Sequence, residues 1–391
     1  MRDDGSDFFD TTPPRRGTHS VKWDMAGDEN LLPMWVADMD FKTAPAILEV
    51  IQKRVAHGVF GYTLTPDDFF DAIIAWWSRR HQVQLQRAWI LPVAGILPAL
   101  SAIIRAFSEK GDQVLLLTPV YDHFFATIRN CELGVIESPL KYQSGSYTID
   151  FDDFEKKAAN PATKFVLLSN PHNPTGRVWT REELSRIAAI CLKYGVLVVS
   201  DEIHADLVHH PFRHCPFAAL GEAYAKNVVT CCSPSKSFNL AGIQVGYLFI
   251  ENEKIRQSVE AMLQMQDTVF LNVFAAPALV AAYRESEGWL ELLKNYIYQN
   301  YLFLKNYMAL HLPSIHVTPL EATYLVWLDI RSVNMPCAEF TAALHAEQQL
   351  WLNPGTMYGE SGEGFLRMNI GCPRPMLEDG LERLRLFVNK N

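Results

Sequence analysis

The chain has 391 residues, of which 49% are apolar and 20% charged, and its formal net charge is −9. This composition is typical of a globular protein, and the length predicts one large domain together with a smaller one. Because the chain is acidic and has no dense basic run, it is not expected to bind nucleic acid directly.

Seven cysteines are scattered along the chain without a Cys-x-x-Cys pair. The odd number and the spacing argue against a disulfide framework or a zinc ribbon, and they predict a cytoplasmic location. Arg15 and Arg16 could begin a twin-arginine export signal, but residues 17–22 read Gly-Thr-His-Ser-Val-Lys, where such a signal needs an apolar core. No uninterrupted apolar run reaches membrane-spanning length, so no membrane association is predicted.

The first part of the chain is irregular and then becomes helical. Within residues 1–44, the phrase Trp35-Val36-Ala37-Asp38-Met39-Asp40-Phe41 places two acids among large apolar groups, which indicates a buried, paired loop or the wall of a site. Apolar spacing predicts helices over 45–57 and 67–81. The loop between them carries Tyr62, whose simplest interpretation from the residues alone is packing.

From about residue 90, short apolar runs alternate with amphipathic segments, a pattern typical of an α/β sheet with crossover helices. Strands are predicted at 114–117, 133–136, 165–168, 196–199, 228–232 and 245–250. Helices are predicted over 97–109, 122–130, 181–193 and 216–225, the third of them capped by Thr180. Such sheets bind ligands beyond the carboxyl ends of their strands.

Beyond residue 250 the pattern changes to long helices and then to a small α+β set. The helices are predicted over 252–267, 273–286 and 288–311, followed by a strand at 324–329, a helix at 336–348, a strand at 365–370 and a helix at 376–388. We therefore predict a large domain of residues 45–286 and a small domain built from residues 1–44 and 287–391. The acidic loop 359–364 is unsuited to cradle a phosphate group.

Several polar residues follow predicted strands. Asn173 is framed by two prolines. Asp201 follows the apolar run 196–199 after Ser200, at the end of a predicted buried strand, where a carboxylate is costly unless it meets a cation or a strong donor. Lys236 lies between two serines and is well placed to hold an aldehyde cofactor as a Schiff base, although an ordinary turn lysine is the alternative. Gly95 precedes a helix whose free N–H groups could hold a phosphate.

Taken together, these residues resemble the fold-type I pyridoxal-phosphate enzymes, the aspartate aminotransferase superfamily, over essentially the whole chain. The resemblance implies an α/β fold of the PLP-dependent transferase type. Its large domain would contain a mixed, mostly parallel sheet flanked by helices, and its smaller α+β domain would come from both chain ends. It also implies pyridoxal 5′-phosphate as the cofactor and a small amino acid as the substrate.

The resemblance assigns a cofactor role to most of the site. Lys236 would anchor the cofactor and remove the substrate Cα proton, Asp201 would pair with the pyridinium nitrogen, and Asn173 would bond to the ring 3′-oxygen. Tyr121 would stack on the ring as a further catalytic residue. The phosphate would be bound by Gly95, Ile96, Leu97, Ser233 and Ser235.

The remaining assignments concern the substrate and a second subunit. Arg367 would clamp the substrate carboxylate, with Asp38 and Tyr324 as further substrate-binding residues. Tyr62 matches a catalytic tyrosine that reaches the cofactor phosphate of the partner subunit. The resemblance therefore implies a homodimer with composite active sites.

Two positions depart from the usual aminotransferase pattern. His204 stands where those enzymes carry a tyrosine, and Gln244 stands where they carry a phosphate-binding arginine. With the phrases at 37–41, 58–62, 201–204, 235–239 and 369–374, these departures are similar to the cystathionine β-lyase group of MalY/PatB type. His204 would then belong to the cofactor layer or be a satisfied core histidine. The histidines nearby fit no standard zinc spacing, so no metal is predicted.

This resemblance implies a carbon–sulfur β-lyase. Such an enzyme cleaves a thioether amino acid such as cystathionine to a thiol (homocysteine), pyruvate and ammonia by α,β-elimination. Two alternatives stay open at this point. A class I/II aminotransferase would use nearly the same residues, and a PLP-fold protein could instead bind a regulatory protein partner, with catalysis secondary.

Overall fold

The computed structural model describes residues 6–390, so residues 1–5 and 391 of the predicted small domain lie outside the described residues. The strands are β1 Leu32–Pro33, β2 Ile90–Val93, β3 Gln113–Thr118, β4 Gly134–Pro139, β5 Lys141–Gln143, β6 Ser146–Thr148, β7 Thr163–Ser169, β8 Leu197–Asp201, β9 Val228–Cys232, β10 Gly246–Phe249, β11 His316–Val317, β12 Leu325–Asp329, β13 Leu350–Trp351, β14 Asn353–Pro354 and β15 Phe365–Asn369. The helices are α1 Ser6–Phe9, α2 Val21–Asp24, α3 Pro45–His57, α4 Asp67–His81, α5 Ile96–Phe107, α6 Asp122–Asn130, α7 Phe151–Ala158, α8 Arg181–Tyr194, α9 Glu222–Ala225, α10 Glu253–Met265, α11 Ala275–Glu285, α12 Glu287–His311, α13 Cys337–Gln348 and α14 Arg374–Lys390.

A seven-stranded sheet forms the centre of the molecule, in the spatial order β2-β10-β9-β8-β7-β3-β4. The five strands from β9 to β4 in this order run parallel, whereas β10 is antiparallel to both of its neighbours. The carboxyl ends of β2, β3, β7, β8 and β9 therefore meet at one edge, where α/β sheets bind ligands. The mixed, mostly parallel sheet predicted from the sequence is confirmed.

Helices cover both faces of this sheet, so its central strands carry continuous apolar runs, such as Phe165–Leu168 in β7, rather than alternating apolar and polar residues. In β7, Phe165 and Leu167 pack into one core layer, while Val166 and Leu168 pack into the layer on the opposite face. The separation follows from the alternating direction of side chains along a strand. The two layers fix the sheet rigidly beneath the loops at its carboxyl edge.

A second, four-stranded sheet has the order β11-β12-β15-β14 and is antiparallel throughout. The N-terminal segment joins this part of the molecule through β1, which pairs in parallel with β13 and sets Leu32 opposite Leu350. The division of the chain into a large and a small domain stays a prediction.

Some elements differ from the sequence-based expectation. Residues 216–225 do not form one helix, because Gly221, at φ +151°, separates a 3-10 turn at Phe217–Ala219 from the short α9. The strand β2, the hairpin of β5 and β6, and α7 were not predicted. Those segments are short, and their periodic signal is correspondingly weak.

Three properties of the described residues bear on the sequence-based expectations. All seven cysteines are free thiols. Across residues 6–390, no helix combines the length and apolar character needed to span a membrane. Within the same range, no cluster of three or more His, Cys, Asp or Glu side chains is arranged to hold a metal ion.

The capping box of α8 gives a direct test of the local fold. The Thr180 hydroxyl accepts from Glu183 N at 3.1 Å, and Glu183 Oε2 accepts from Thr180 N at 2.9 Å. We expect Thr180→Ala to lower the free energy of unfolding by about 1 kcal/mol, measured by urea denaturation. Thr180→Ser keeps the hydroxyl and should retain most of the stability; equal losses in both variants would show that the cap is not the cause.

Candidate active site

A cavity of about 220 Å³ opens at the carboxyl edge of the large sheet. It is bounded by the loops that follow β2, β3, β8 and β9 and by the residues that precede β10. Eight of the residues predicted from the sequence line it: Gly95, Ile96, Leu97, Tyr121, Asp201, Ser233, Ser235 and Lys236. Gln244 also lines this cavity. The sheet topology thus brings together residues that are up to about 140 positions apart in the chain.

Lys236 presents an amine of reduced basicity to the cavity. Its Nζ donates a hydrogen bond to the Ala37 carbonyl at 2.7 Å. Burial, reinforced by the charge of Arg367, lowers the pKa of Lys236 to about 8, although Asp38 and Asp201 act in the opposite direction. A lysine with such a pKa supplies far more free amine near neutral pH than a surface lysine does, as a nucleophile or base requires.

Asp201 ends β8 in a buried position, with 5% of its surface exposed. Among the described residues, its carboxylate accepts one hydrogen bond, from Ile203 N at 3.3 Å. Burial raises the pKa of this carboxyl group to about 7, because no cation pairs with it directly. The position therefore favours a ligand that brings a positively charged N–H group into the cavity.

The opposite side of the cavity is built for an anion. Gly95 precedes α5 at φ +112°, a conformation that a residue with a side chain rarely adopts, and the first amides of α5 lack carbonyl partners within the helix. Ser233 Oγ donates to Val245 O at 2.6 Å and accepts from Ser235 N at 3.0 Å. Ser233 therefore holds the loop in shape, and its hydroxyl hydrogen is already used.

Tyr121 caps the N-terminus of α6 and lies at the cavity wall. Its ring stacks on that of His123, with centroids 5.1 Å apart and an interplanar angle of 13°. Burial raises the pKa of the Tyr121 hydroxyl above its ordinary value. The side chain thus remains neutral and offers a flat aromatic surface.

Arg367 and Asn173 form a second polar group beside the cavity. The Arg367 guanidinium donates to Asn173 Oδ1 at 3.2 Å and to Trp35 O at 2.7 Å, and its Nε is buried without a partner. Its charge lies 4.9 Å from the centre of the Tyr358 ring. An arginine that is 3% exposed and retains an unpaired donor is suited to bind a carboxylate.

Two residues of this group, Asn353 and Tyr358, were missed by the sequence analysis. Asn353 donates to both Trp35 O, at 3.2 Å, and Tyr358 Oη, at 2.9 Å, and so supports the surroundings of Arg367. Asn353 follows three apolar residues at 350–352, the same signal that identified Asp201, and could have been found in that way. Trp35 contributes only its carbonyl, which leaves no trace in the identity of its side chain.

Asp38, one of the further predicted substrate residues, lies on the segment that faces Lys236, and Tyr324, the other, precedes β12 and contacts that segment. Tyr324 Oη donates to the Ala37 carbonyl at 2.9 Å, which is the carbonyl that also accepts from Lys236. The Asp38 carboxylate pairs with Arg15 at 2.7 Å and with Lys22 at 3.5 Å. Their roles in substrate binding stay predictions.

His204 is neutral and incompletely hydrogen bonded. Burial and the positive charges of Lys236 and Arg367 lower its pKa to about 3. Its Nδ1 is buried and has no hydrogen-bond partner within residues 6–390, which does not fit the satisfied core histidine that the sequence left as one interpretation. Its alternative assignment to the cofactor layer stays a prediction.

Tyr62 is fully exposed and does not line the cavity of its own chain. Its ring lies near that of Phe270, at 6.3 Å between centroids. A role for Tyr62 therefore requires a second subunit, as the sequence-based hypothesis implies.

The family model "Aminotransferase class I and II" matches residues 30–384. The chain belongs to this family. Cystathionine beta-lyase PatB of Bacillus subtilis is 40% identical over 97% of the chain and its own full length, and Protein MalY of Escherichia coli is 35% identical over 96% of the chain and 97% of its own length. The crystal structure of cystalysin from Treponema denticola, which contains pyridoxal 5′-phosphate, aligns with a TM-score of 0.95 at 33% identity and covers 98% of both chains.

Membership of the aminotransferase class I and II family confirms the family and fold predicted from the sequence. Two buried aspartates, Asp201 and Asp206, differ in their hydrogen-bond and ion-pair partners. Asp201 lacks a cationic partner, whereas Asp206 accepts from Trp76 at 3.1 Å and pairs with His81 at 2.9 Å. These partners hold the pKa of Asp206 below its usual value despite its burial.

We expect Asp201→Asn to stabilise the cofactor-free protein. Because the pKa of Asp201 is raised on folding, its ionised form costs stability at pH 8, and this cost diminishes as the pH falls through 7 toward the unfolded-state value. The gain should be about 2–4 kcal/mol at pH 8 and smaller at pH 5, measured by denaturation at the two pH values.

Asp206→Asn is the matched control and should have the opposite effect. Its ionised, paired form stabilises the protein above the unfolded-state pKa, so the substitution should cost about 2–4 kcal/mol at pH 8. Destabilisation of similar size by both substitutions would contradict the view that Asp201 lacks a partner.

Proposed function

We propose that the protein is a pyridoxal 5′-phosphate-dependent carbon–sulfur β-lyase. The substrate would be a thioether amino acid of the cystathionine type, and the products a thiol such as homocysteine, pyruvate and ammonia. The observation that carries the proposal is that two residues of unusual pKa line one cavity. Lys236 has a lowered pKa, and Asp201 is a buried carboxyl group that no described cation contacts directly. PatB, which shares 40% of its residues with this chain over its full length, is named a cystathionine beta-lyase.

The residues of the cavity fit this cofactor. Asp201 would receive the ring nitrogen as the cation it lacks, Lys236 would bind the aldehyde carbon, and the flat face of Tyr121 would cover the ring. The amides of Ile96 and Leu97 at the N-terminus of α5 would hold the phosphate. When bound, the cofactor supplies an electron sink that stabilises negative charge at the substrate Cα.

The protein residues would bind the substrate and move the proton. Arg367, fixed by Asn173 and Trp35 O, would bind the α-carboxylate and thereby set which Cα bond is broken. The Lys236 amine, with a pKa of about 8, would take the Cα proton. The Cβ–S bond would then break, with the Cα electron pair forming the Cα–Cβ double bond, and the sulfur would leave as a thiol with the proton held by Lys236. Water would hydrolyse the released 2-aminoacrylate, as its imine, to pyruvate and ammonia.

The departures at His204 and Gln244 favour a lyase over an aminotransferase. Gln244 lines the cavity as an uncharged residue where aminotransferases carry an arginine, so the phosphate site is less cationic. His204 is held neutral by burial and by neighbouring positive charge. An aminotransferase would retain the same proton-transfer residues but return the proton to the cofactor, which makes the products the decisive measurement.

We expect L-cystathionine to yield pyruvate continuously without an added keto acid. Lys236→Ala should lower this activity by about 1,000-fold or more, since both the anchor and the base are lost. Lys226→Ala, which removes an exposed lysine that pairs with Glu222, is the matched control and should leave the rate unchanged. A single stoichiometric conversion of the cofactor, with turnover only after a keto acid is supplied, would identify an aminotransferase instead.

We further propose a homodimer with composite active sites. One surface of the protein carries six large apolar side chains that are more than half exposed: Val59, Phe60, Tyr62, Leu64, Met265 and Phe270. The rings of Phe60 and Phe274 lie 5.9 Å apart within this surface. An aromatic surface of this kind is typical of a subunit interface. A second copy would cover it and bring Tyr62 to the neighbouring cavity.

Two further expectations concern a partner and the location of the protein. A regulatory protein partner stays a prediction. The seven free cysteines support a cytoplasmic location.

Mixing two inactive variants tests the composite site. In a hybrid of Tyr62→Ala and Lys236→Ala subunits, one of the two sites contains both native residues. After subunit exchange we expect about a quarter of the wild-type pyruvate release per subunit. Each variant mixed only with itself is the control. A fully active monomer in sedimentation would rule out the composite site.

A further inference from the structure

The segment Ala37–Asp40, which we call the wall segment, faces the reactive amine. The Ala37 carbonyl accepts hydrogen bonds from Lys236 Nζ at 2.7 Å and from Tyr324 Oη at 2.9 Å. The negative charge of the adjacent Asp38 favours the protonated form of Lys236. Any shift of this segment would therefore change both the position of the amine and the charge around it.

Arg15 binds the wall segment at three points. Its guanidinium donates to Asp38 Oδ2 at 2.7 Å, to Asp40 Oδ1 at 2.8 Å and to Met39 O at 3.1 Å. Asp40 is fully buried and is also bound by Lys22 at 2.5 Å. One planar guanidinium thus bridges the two carboxylates that Lys22 Nζ also contacts, at 3.5 Å and 2.5 Å, and it adds a hydrogen bond to the Met39 carbonyl between them.

Arg16, the next residue, has a different set of partners. It donates to the carbonyls of Trp23, Asp28 and Leu31, all within the N-terminal segment. It makes no hydrogen bond to the wall segment. Among the described residues, the two adjacent arginines therefore divide into one that contacts the wall segment and one whose hydrogen bonds stay within the N-terminal segment.

We propose that Arg15 is a positioning residue of the active site, which fixes the wall segment against Lys236 and screens the Asp38 carboxylate from the Lys236 amine. Arg15 touches neither the cavity nor Lys236 and would act only through Asp38 and Asp40. The inference rests on the proposed function only in taking Lys236 as the reactive amine.

Several charged or titratable groups act on this amine, and they define what a substitution should change. Arg367 acts from β15, Asp38 from the wall segment and Asp201 from the end of β8, while Lys236 in turn influences His204 and His123. Loss of Arg15 removes the shorter of the two ion pairs of Asp38, at 2.7 Å, and leaves the Lys22 pair at 3.5 Å and the other groups in place. The Asp38 charge should then act more strongly on Lys236 and hold its proton more tightly.

The test is the pH dependence of Lys236 acylation in the cofactor-free protein, with trace acetic anhydride as the probe and mass spectrometry of the Lys236 peptide as the readout. We expect Arg15→Gln to move the midpoint to higher pH and to slow acylation at pH 7.5 by about threefold or more. Arg15→Lys retains the charge and should restore the midpoint in part. Arg16→Gln should leave the midpoint unchanged. The melting temperatures of Arg15→Gln and Arg16→Gln are compared to show whether the two variants are equally stable.

A double-mutant cycle separates electrostatic coupling from general loosening of the structure. Asp38→Asn alone should move the midpoint to lower pH, and in that background Arg15→Gln should have no further effect. The proposal fails if Arg15→Gln shifts the midpoint equally in the wild-type and Asp38→Asn backgrounds, or if Arg16→Gln produces the same shift. In either case Arg15 supports the structure without acting on Lys236 through Asp38. An unchanged midpoint in both Arg15→Gln and Asp38→Asn overturns the proposal. If Arg15→Gln does not fold, the Arg15→Lys and Asp38→Asn profiles still decide it.

Failure of this proposal can be distinguished from failure of the proposed function. Pyruvate release from L-cystathionine by the unmodified protein depends on Lys236 and the cofactor, whichever role Arg15 has. A lyase with an unchanged acylation profile in the Arg15 variants would retain the function and remove only the positioning role.

Discussion

The active-site geometry depends on the buried, uncompensated charge of Asp201. Its carboxylate lies at the end of β8 with one long hydrogen bond from Ile203 N, and its raised pKa expresses the cost of that position. The fold tolerates the cost because β8 is central in a sheet covered on both faces, which holds Asp201 where a cationic ring nitrogen would relieve it. Asp206, five residues later, shows how the same burial is compensated when partners are present.

The other charges of the site are arranged in relation to this one. Burial and Arg367 lower the pKa of Lys236 to about 8, although Asp38 and Asp201 act in the opposite direction, so a minor but usable fraction of the amine is free at neutral pH. Arg367 keeps a fixed orientation because Asn173 and Trp35 O accept two of its hydrogen bonds. A carboxylate bound there would be oriented by groups that are already in place, which lowers the entropic cost of binding.

The wall segment links three distant parts of the chain. Arg15 and Lys22 bind it from the N-terminus, Asn369 donates to the carbonyls of Val36 and Asp38, and Asn239, three residues beyond Lys236, bonds to Met39 in both directions. The position of the lysine amine is therefore coupled to the N-terminal segment and to β15. A site assembled in this way is sensitive to substitutions that lie outside the cavity.

The amino-acid sequence by itself determined most of the sheet-forming runs, most helix bounds and eight of the residues that line the cavity. Asp201 could be recognised because a carboxylate after a buried apolar run is costly unless it has a partner, Asn173 because two prolines frame it, and Lys236 because it lies between two serines. Only the tertiary structure decided which backbone groups serve the site. The Ala37 and Trp35 carbonyls, the use of the Ser233 hydroxyl by Val245 O and the bridging position of Arg15 depend on contacts between segments up to about 330 residues apart. Main-chain carbonyls are the same in every residue, and a long-range ion pair leaves no local periodicity, so neither could be read from the sequence.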